Sequence, residues 1–521
     1  MRVWFYLRIG ILCLAWIFIA YVDVYSIILF VQRLSYPYAL EWQENYNVAM
    51  ILGDWRAWYK VPVDVHSGMT IYPPVYFLLA KIWVFLFPKN FISLRIFSAL
   101  IPFLLSVLLA HQIGQCLKHK YIGFYFCVFF FAYLYYIPWI DLVRMEMWLL
   151  CLSMWFVYAF MQGQIKTLAL VLSLAVYTKQ SCIMLFFPIV WAAVFENSKY
   201  WTSFIYGIIG VFLFYFCFSY LWGPGFAFNF FEVLEHRILL LQQLWILRQI
   251  KKTSKLFFWM FIALLYMGFY LASVRSFVSN WLSSHAQAIM RSIKLFLVSL
   301  TLFLISTSSF FKEGGGLFNF CLWGLFSSVI LALLVSDSNS KKYAWVAWFG
   351  IFVPSPYLQV NDYYKLHQIV KIKHPIYHHL LEDISRQLKN RVYVVFNPFV
   401  TASHESHILL VSPRFSHALT QMRGLENVVH PLDFMKITQF DYVIADAYCY
   451  EKANIKNDEF SVSQFLLKEG YHLAAEINPM LISTVGMGCT FFSHHIYIKD
   501  LALKPELENL IASYPNEVSL F

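Results

Sequence analysis

The chain has 521 residues, of which 60% are hydrophobic, 20% aromatic and only 13% charged, with a mean hydropathy of +0.60. Soluble globular chains carry about 25% charged residues, so this composition excludes a soluble enzyme, a disordered tail and a coiled coil, and leaves an integral membrane protein with many spans. The net charge of +10 comes without a Lys/Arg block long enough to track a phosphate backbone, so it argues against nucleic acid and for basic loops in contact with anionic membrane lipids.

In chain order, Arg2 and Arg8 precede an apolar run that extends to Val31. The run is too long for a signal-peptide core and reads as an uncleaved first span with its basic end in the cytoplasm. Residues 32–70 interleave Glu41, Glu44, Asp54, Arg56, Lys60, Asp64 and His66 with Trp42, Trp55, Trp58 and Tyr59. That mixture suits a surface loop with short amphipathic helices and rings at headgroup level. Spans are predicted at 71–87, 93–113, 121–140 and 142–161. The stretch 167–195 is apolar except at Thr178-Lys179-Gln180, which predicts two short helices meeting at Lys179. A span at 201–221 precedes a second polar loop, 222–255, and further spans fall near 256–272, 293–311, 317–335 and 343–358. The total is about eleven to thirteen helices of bilayer length.

The composition changes after Pro354-Ser355-Pro356. Residues 359–521 contain no run long enough to cross a bilayer, but short apolar strands are predicted at Val392–Phe396, Ile408–Val411 and Tyr442–Ala445, and a helix at Val462–Glu469 stopping at Gly470. The predicted organisation is an α-helical polytopic membrane domain, 1–358, followed by a small water-facing α/β domain, 359–521, large enough for its own core. The nine cysteines form no CxxC pair, so neither a zinc ribbon nor a disulfide framework is expected.

Charged groups at membrane depth cost at least ~2.5–3.5 kcal/mol, so those present are candidates for function. Glu41 and Glu44 lie three residues apart on one helical face. They suit proton abstraction from an acceptor hydroxyl, or binding of a divalent metal ion, and read equally as two solvated loop acids. Tyr72-Pro73-Pro74 is a rigid helix entry. Asp141 and Arg144 stand at i,i+3, as an interfacial ion pair or with the Arg facing a lipid phosphate. Lys179 interrupts an apolar run beside Gln180, either snorkelling or binding an anion. Lys312 precedes Gly314, Gly315 and Gly316, with Asn319 just beyond, and such a turn can aim backbone N–H groups at an anion or simply join two helices. His404-Glu405-Ser406-His407 is one residue short of the HExxH zinc signature.

These segments, in their order, resemble the GT-C class of polytopic glycosyltransferases, in the branch that holds protein O-mannosyltransferases, lipid A aminoarabinose transferases and bacterial polyprenyl-phosphate-sugar transferases. The likeness covers residues 1 to about 335 and rests on Leu40-Glu41-Trp42-Gln43-Glu44-Asn45-Tyr46, Tyr72-Pro73-Pro74-Val75-Tyr76, Arg95-Ile96-Phe97-Ser98-Ala99-Leu100, Asp141 with Arg144, Tyr177-Thr178-Lys179-Gln180, and Lys312-Glu313-Gly314-Gly315-Gly316 with Asn319. Family members often carry Asp-Glu in the first external loop; here Gln43-Glu44 stands in that place, which leaves Glu44 as the carboxylate and puts a shared metal role in doubt.

The resemblance implies transfer of a sugar from a polyprenyl-phosphate donor to a glycan, lipid or protein acceptor, with inversion, at the external membrane face. It implies Glu44, with Glu41 nearby, as the base; Arg144, Lys179, Lys312, Gly314 and Gly315 at the donor phosphate; and Tyr72, Gln180, Asn319 and Asp141 around the substrates. A bacterial inner membrane with the site and the C-terminal domain facing the periplasm is the expected setting, although Lys118 and Lys120 then fall outside, against the positive-inside trend. Rival readings are a surface-polysaccharide polymerase or ligase using a diphosphate-linked glycan, a flippase for a lipid-linked substrate, and an inactive scaffold.

Overall fold

The computed structural model describes residues 10–37 in part, 42–59, 72–116, 142–180, 199–227, 379–388, 391–395, 407–409, 438–446, 466–481, 491–514 and 518–520, with single positions at 127, 182, 186, 190 and 230. The chain divides into two compact units, each assembled from three stretches of sequence. One comprises Met1–Ser35, Ser98–Phe212 and His236–Asn361; the other comprises Tyr36–Phe97, Leu213–Glu235 and Asp362–Phe521.

The helices are α1 (Trp42–Leu52), α2 (Pro74–Leu86), α3 (Phe91–Cys116), α4 (Glu146–Met161), α5 (Ile165–Thr178) and α6 (Lys199–Trp222). Of the described helices, α3 and α6 are long and apolar enough to cross a bilayer, while α2, α4 and α5 are shorter apolar helices. On α6, Ile205, Ile209, Phe212, Leu213 and Phe216 are all exposed, as expected of a surface that meets lipid rather than water. The spans predicted at 256–272, 293–311, 317–335 and 343–358 lie outside the described residues, as does 121–140 apart from Cys127.

Local sequence accounts for the helix ends. Pro74 occupies the first turn of α2, where its missing N–H costs nothing. Asn90 caps α3 by accepting a hydrogen bond from Ser93 N at 2.8 Å. Within α3, Ile96–Leu100 is wound as a π-turn. Pro102 follows directly; it lacks an N–H and its ring crowds the carbonyl four residues back, which widens the helix there. Gly163, at φ 64°, turns the chain between α4 and α5. The predicted break at Lys179 is present: α5 ends at Thr178, Lys179 is extended, and its N–H closes the last turn on Ala175 O at 2.9 Å.

In the first unit, α4 and α5 pack through Leu149, Leu152, Phe156, Leu168, Val171 and Leu172. On α6, Gly207 and Gly210 let the backbone approach α5: a Cβ at Gly210 would stand 2.3 Å from Ser173 Oγ, and one at Gly207 2.5 Å from a Leu172 methyl. Tyr177 Oη also donates to Val211 O at 2.6 Å. In the second unit, Lys81 of α2 donates to the carbonyls of Leu52 and Gly53, at 3.1 and 2.6 Å, and so satisfies the C-terminal end of α1. Trp83 Nε1 bonds Ser93 in the first turn of α3.

The C-terminal part folds into a mixed six-stranded sheet, with strands β1 (Val392–Val395), β2 (His407–Leu409), β3 (Tyr442–Asp446), β4 (His472–Leu481), β5 (Phe491–Ile498) and β6 (Val518–Leu520). Their spatial order is β2-β1-β3-β5-β4-β6. The first three strands are parallel and the remaining pairings antiparallel. Strands lie at the three places where apolar runs predict them, and Gly470 (φ 84°) ends the helical turn before β4. Val392, Tyr442, Ile444, Ile496 and Ile498 form a core with Leu381 and Ile384 of α7 (379–388) and Leu507 and Ile511 of α8 (Lys504–Ile511).

An ionic cluster joins the starts of β1 and β3 to α8. Arg391 binds Asp441 at 2.7 Å and, as a fork, Glu506 at 2.9 and 3.1 Å, while Tyr442 Oη donates to Glu506 at 2.6 Å. The Tyr442 hydrogen bond holds the Glu506 carboxyl below the usual carboxylate range, with Arg391 adding to the effect. Burial, together with that same bond, pushes the Tyr442 phenol up.

Candidate functional site

Two groups of buried charge stand out among the described residues, one in each unit. The first is built where α4 begins and α5 ends. Arg144 sits in the bend 142–145, its N–H donating to Leu142 O at 2.8 Å, and Glu146 opens α4, where a carboxylate is favoured by the helix dipole. Lys179 follows the last residue of α5. Glu146 joins the two cations: Arg144 Nε lies 3.7 Å from its Oε2 and Lys179 Nζ 3.4 Å from its Oε1. Arg144 is 1% exposed, Glu146 6% and Lys179 13%. Gln180, the next residue, is also buried, and Thr178 turns its hydroxyl back to Leu174 O at 2.8 Å.

Two cations thus share one buried carboxylate. Burying charge costs several kcal/mol per ion unless it is paired, so Glu146 stabilises both cations. The family resemblance implies a phosphate-binding role for Arg144 and Lys179 and assigns none to Glu146. The available signal was an acid two residues from Arg144 at the mouth of an apolar helix.

The second group corrects an expectation. Glu44 is expected as a loop carboxylate open to an acceptor hydroxyl. It is instead fully buried in α1, and both its oxygens bind Arg95, Oε1 to Nε at 2.6 Å and Oε2 to Nη2 at 2.8 Å. Arg95 also donates to the Tyr36 carbonyl and lies 5.4 Å from the centre of the Phe91 ring. The reason is the guanidinium: at the foot of an apolar helix it needs a matching carboxylate, and Glu44 supplies the fork. As arranged, the pair ties α1 to α3.

Tyr72 is half-buried, and its carbonyl accepts from Tyr59 Oη at 2.6 Å. Behind it, Trp58, Tyr59, Trp222 and Phe226 form an aromatic cluster, with Tyr59 5.0 Å from Trp222 and 5.2 Å from Phe226. Trp55 meets Trp222 edge-on at 6.0 Å, and its carbonyl accepts the Trp222 indole N–H at 2.9 Å. Glu41, Asp141, Lys312, Gly314, Gly315 and Asn319 lie outside the described residues. No group of three His, Cys, Asp or Glu side chains suited to a metal ion occurs among the described residues.

The sequence matches no protein-family model and no curated protein. Its fold is similar to solved structures at low identity. One is the oligosaccharyltransferase of Archaeoglobus fulgidus in the apo form, at 10% identity and a TM-score of 0.44, covering 90% of this chain and 74% of that one. Another is the archaeal oligosaccharyltransferase AglB from Archaeoglobus fulgidus in complex with an inhibitory peptide and a dolichol-phosphate, 11% identical with a TM-score of 0.43, covering 91% of this chain and 74% of that one. A third is ArnT from Cupriavidus metallidurans bound to undecaprenyl phosphate, 11% identical with a TM-score of 0.42, covering 93% of this chain and 98% of that one.

Proposed function

We propose that this chain is a membrane glycosyltransferase that moves a sugar from a polyprenyl-phosphate donor to a hydroxyl acceptor. The observation that carries the reading is the meeting of Arg144 and Lys179 on buried Glu146. In the reaction the bond between the anomeric carbon and the phosphate oxygen breaks, and the polyprenyl phosphate departs with the electron pair. Cations held in place beforehand stabilise that charge without reorganising as it forms. Arg144 offers a fork to two phosphate oxygens and Lys179 a point charge. Lys312, Gly314 and Gly315 are proposed to complete the phosphate site, with Gln180, Asn319, Asp141 and Tyr72 around the sugar and acceptor.

The acceptor oxygen forms the new bond from the opposite face of the sugar, which inverts the anomeric centre, and its proton passes to a carboxylate of the loop 32–70. With Glu44 seated on Arg95, Glu41 is the proposed base and Glu44 a positioning residue. Glu44 becomes the base itself only if donor binding releases it from Arg95. The site is proposed to face the external side of the membrane, in a bacterial cell the periplasm.

A transfer assay tests this. Purified protein in lipid receives radiolabelled polyprenyl-monophosphate sugars and a crude acceptor extract. Label should move to an acceptor with the native protein and be lost with Lys179→Ala or Arg144→Ala. Transfer only from a diphosphate-linked glycan, or transmembrane movement of the donor without a covalent product, overturns the proposal in favour of a polymerase or a flippase.

A further inference from the structure

At one end of the interior strands of the C-terminal sheet, pairing brings three strand ends together. His472 opens β4 opposite Ile498, the last residue of β5, and Tyr442 at the start of β3 pairs with Ile498 from the other side. The residues just beyond, Asp441, Lys499 and Asp500, thereby converge, and Lys499 N donates to Asp441 O at 2.8 Å. With His472, Leu501 and Leu503 they line an open recess of about 610 Å³, within the ~300–1,000 Å³ usual for small-ligand sites.

Its polar groups are already oriented. Asp441 spends one oxygen on Arg391 at 2.7 Å, and Asp500 spends one on Ala502 N at 2.9 Å. Lys499 gives one of its three N–H donors to Thr438 O at 2.7 Å. Each of the two Asp carboxylates keeps a second oxygen for a ligand, and Lys499 keeps two donors. Leu501 is 56% exposed and forms an apolar ledge beside them. Asp441 and Asp500 are balanced by Lys499 and by the Arg391 bound to Asp441, so the recess carries no net positive charge, which disfavours a phosphate or an anionic lipid headgroup. Fixed acceptors, fixed donors and an apolar ledge, without net positive charge, match a neutral polyol whose hydroxyls both donate and accept and whose C–H face is apolar.

We propose that this recess binds a neutral saccharide, as the acceptor glycan of the transfer reaction. The assignment as acceptor rests on the glycosyltransferase reading; the saccharide chemistry of the recess stands apart from it. Full-length protein in lipid nanodiscs, studied by saturation-transfer difference NMR, provides the test. The probes are mannobiose, cellobiose and the N-acetylglucosamine trimer, with inositol hexaphosphate and tetralysine as charged comparators. Saturation should reach the ring protons of at least one neutral saccharide and fall at least fivefold in the double variant His472→Ala, Leu501→Ser, whose side chains are both exposed and whose loss leaves the fold intact. Equal saturation in the variant, or saturation of a charged comparator alone, overturns the proposal. Binding of radiolabelled polyprenyl-phosphate sugar by the native protein is measured in parallel. Saccharide contact without donor binding sinks the transferase reading and keeps the recess; donor binding without saccharide contact does the reverse.

Discussion

Arg95 holds Glu44 through two parallel hydrogen bonds of 2.6 and 2.8 Å, and neither side chain is exposed. Breaking a buried pair from one side costs about 3–5 kcal/mol, because the remaining charge is left uncompensated. Arg95→Ala should therefore lower the thermal unfolding midpoint of the purified protein sharply. Arg95→Lys, which keeps the charge and loses the fork, should recover only part of it. The double variant Arg95→Leu, Glu44→Leu should be more stable than Arg95→Ala. Equal midpoints for native protein and Arg95→Ala would show that the pair is not structural.

Glu146 keeps two cations at 3.4 and 3.7 Å. Its replacement by Gln removes the anion between them, so the ligand-free protein should be less stable than native. Added polyprenyl phosphate should then raise the unfolding midpoint of Glu146→Gln by more than that of native protein, since the phosphate replaces the missing charge. An equal or smaller rise would separate the cluster from anion binding.

Lys179→Ala and Arg144→Ala each remove a proposed charge-assisted contact to the donor phosphate, about 1.5–3 kcal/mol. Donor affinity, measured with labelled lipid in nanodiscs, should fall by roughly 10- to 100-fold in each. Unchanged affinity in both variants would count against the phosphate site.

Gly210 faces Ser173 at a distance that leaves no room for a side chain. Gly210→Val should separate α6 from α5 and cost about 1–3 kcal/mol, read as a lowered unfolding midpoint. The companion Gly210→Ala with Ser173→Gly, which makes room on the facing helix, should regain stability.

The Glu506 carboxyl is held below its ordinary value of 4.5, chiefly by the Tyr442 hydroxyl. A lowered acid gives stability that is fully present above that ordinary value and is lost as pH falls through the folded one. The phenol of Tyr442 is pushed the other way, so its contribution is present below its ordinary value of 10 and is lost as pH rises beyond it. Hydrogen exchange in β3 and α8 should accordingly quicken below about pH 4 and above about pH 10, and the acid limb should vanish in Glu506→Gln. Exposure of Glu506 and Arg391 keeps the effect small.

The sequence by itself determined the membrane character, because 60% hydrophobic residues cannot be hidden inside a water-soluble surface. It also determined local events. Pro74 at the start of α2, the break at Lys179, Gly470 before β4 and the first three strands all follow from backbone preferences within a few residues. Arg144 and Lys179 were singled out because charge in an apolar run is costly.

Only the tertiary structure decided which charges meet. Glu44 and Arg95 are 51 residues apart, Lys179 and Glu146 33 apart. Periodicity reports a helix face but not the helix opposite it, so Glu44 read as a solvated loop acid until Arg95 was placed over it. The recess beside Asp441, His472 and Lys499 was hidden for the same reason: it exists only where strand register aligns three distant chain segments, and no spacing within any one of them encodes that alignment.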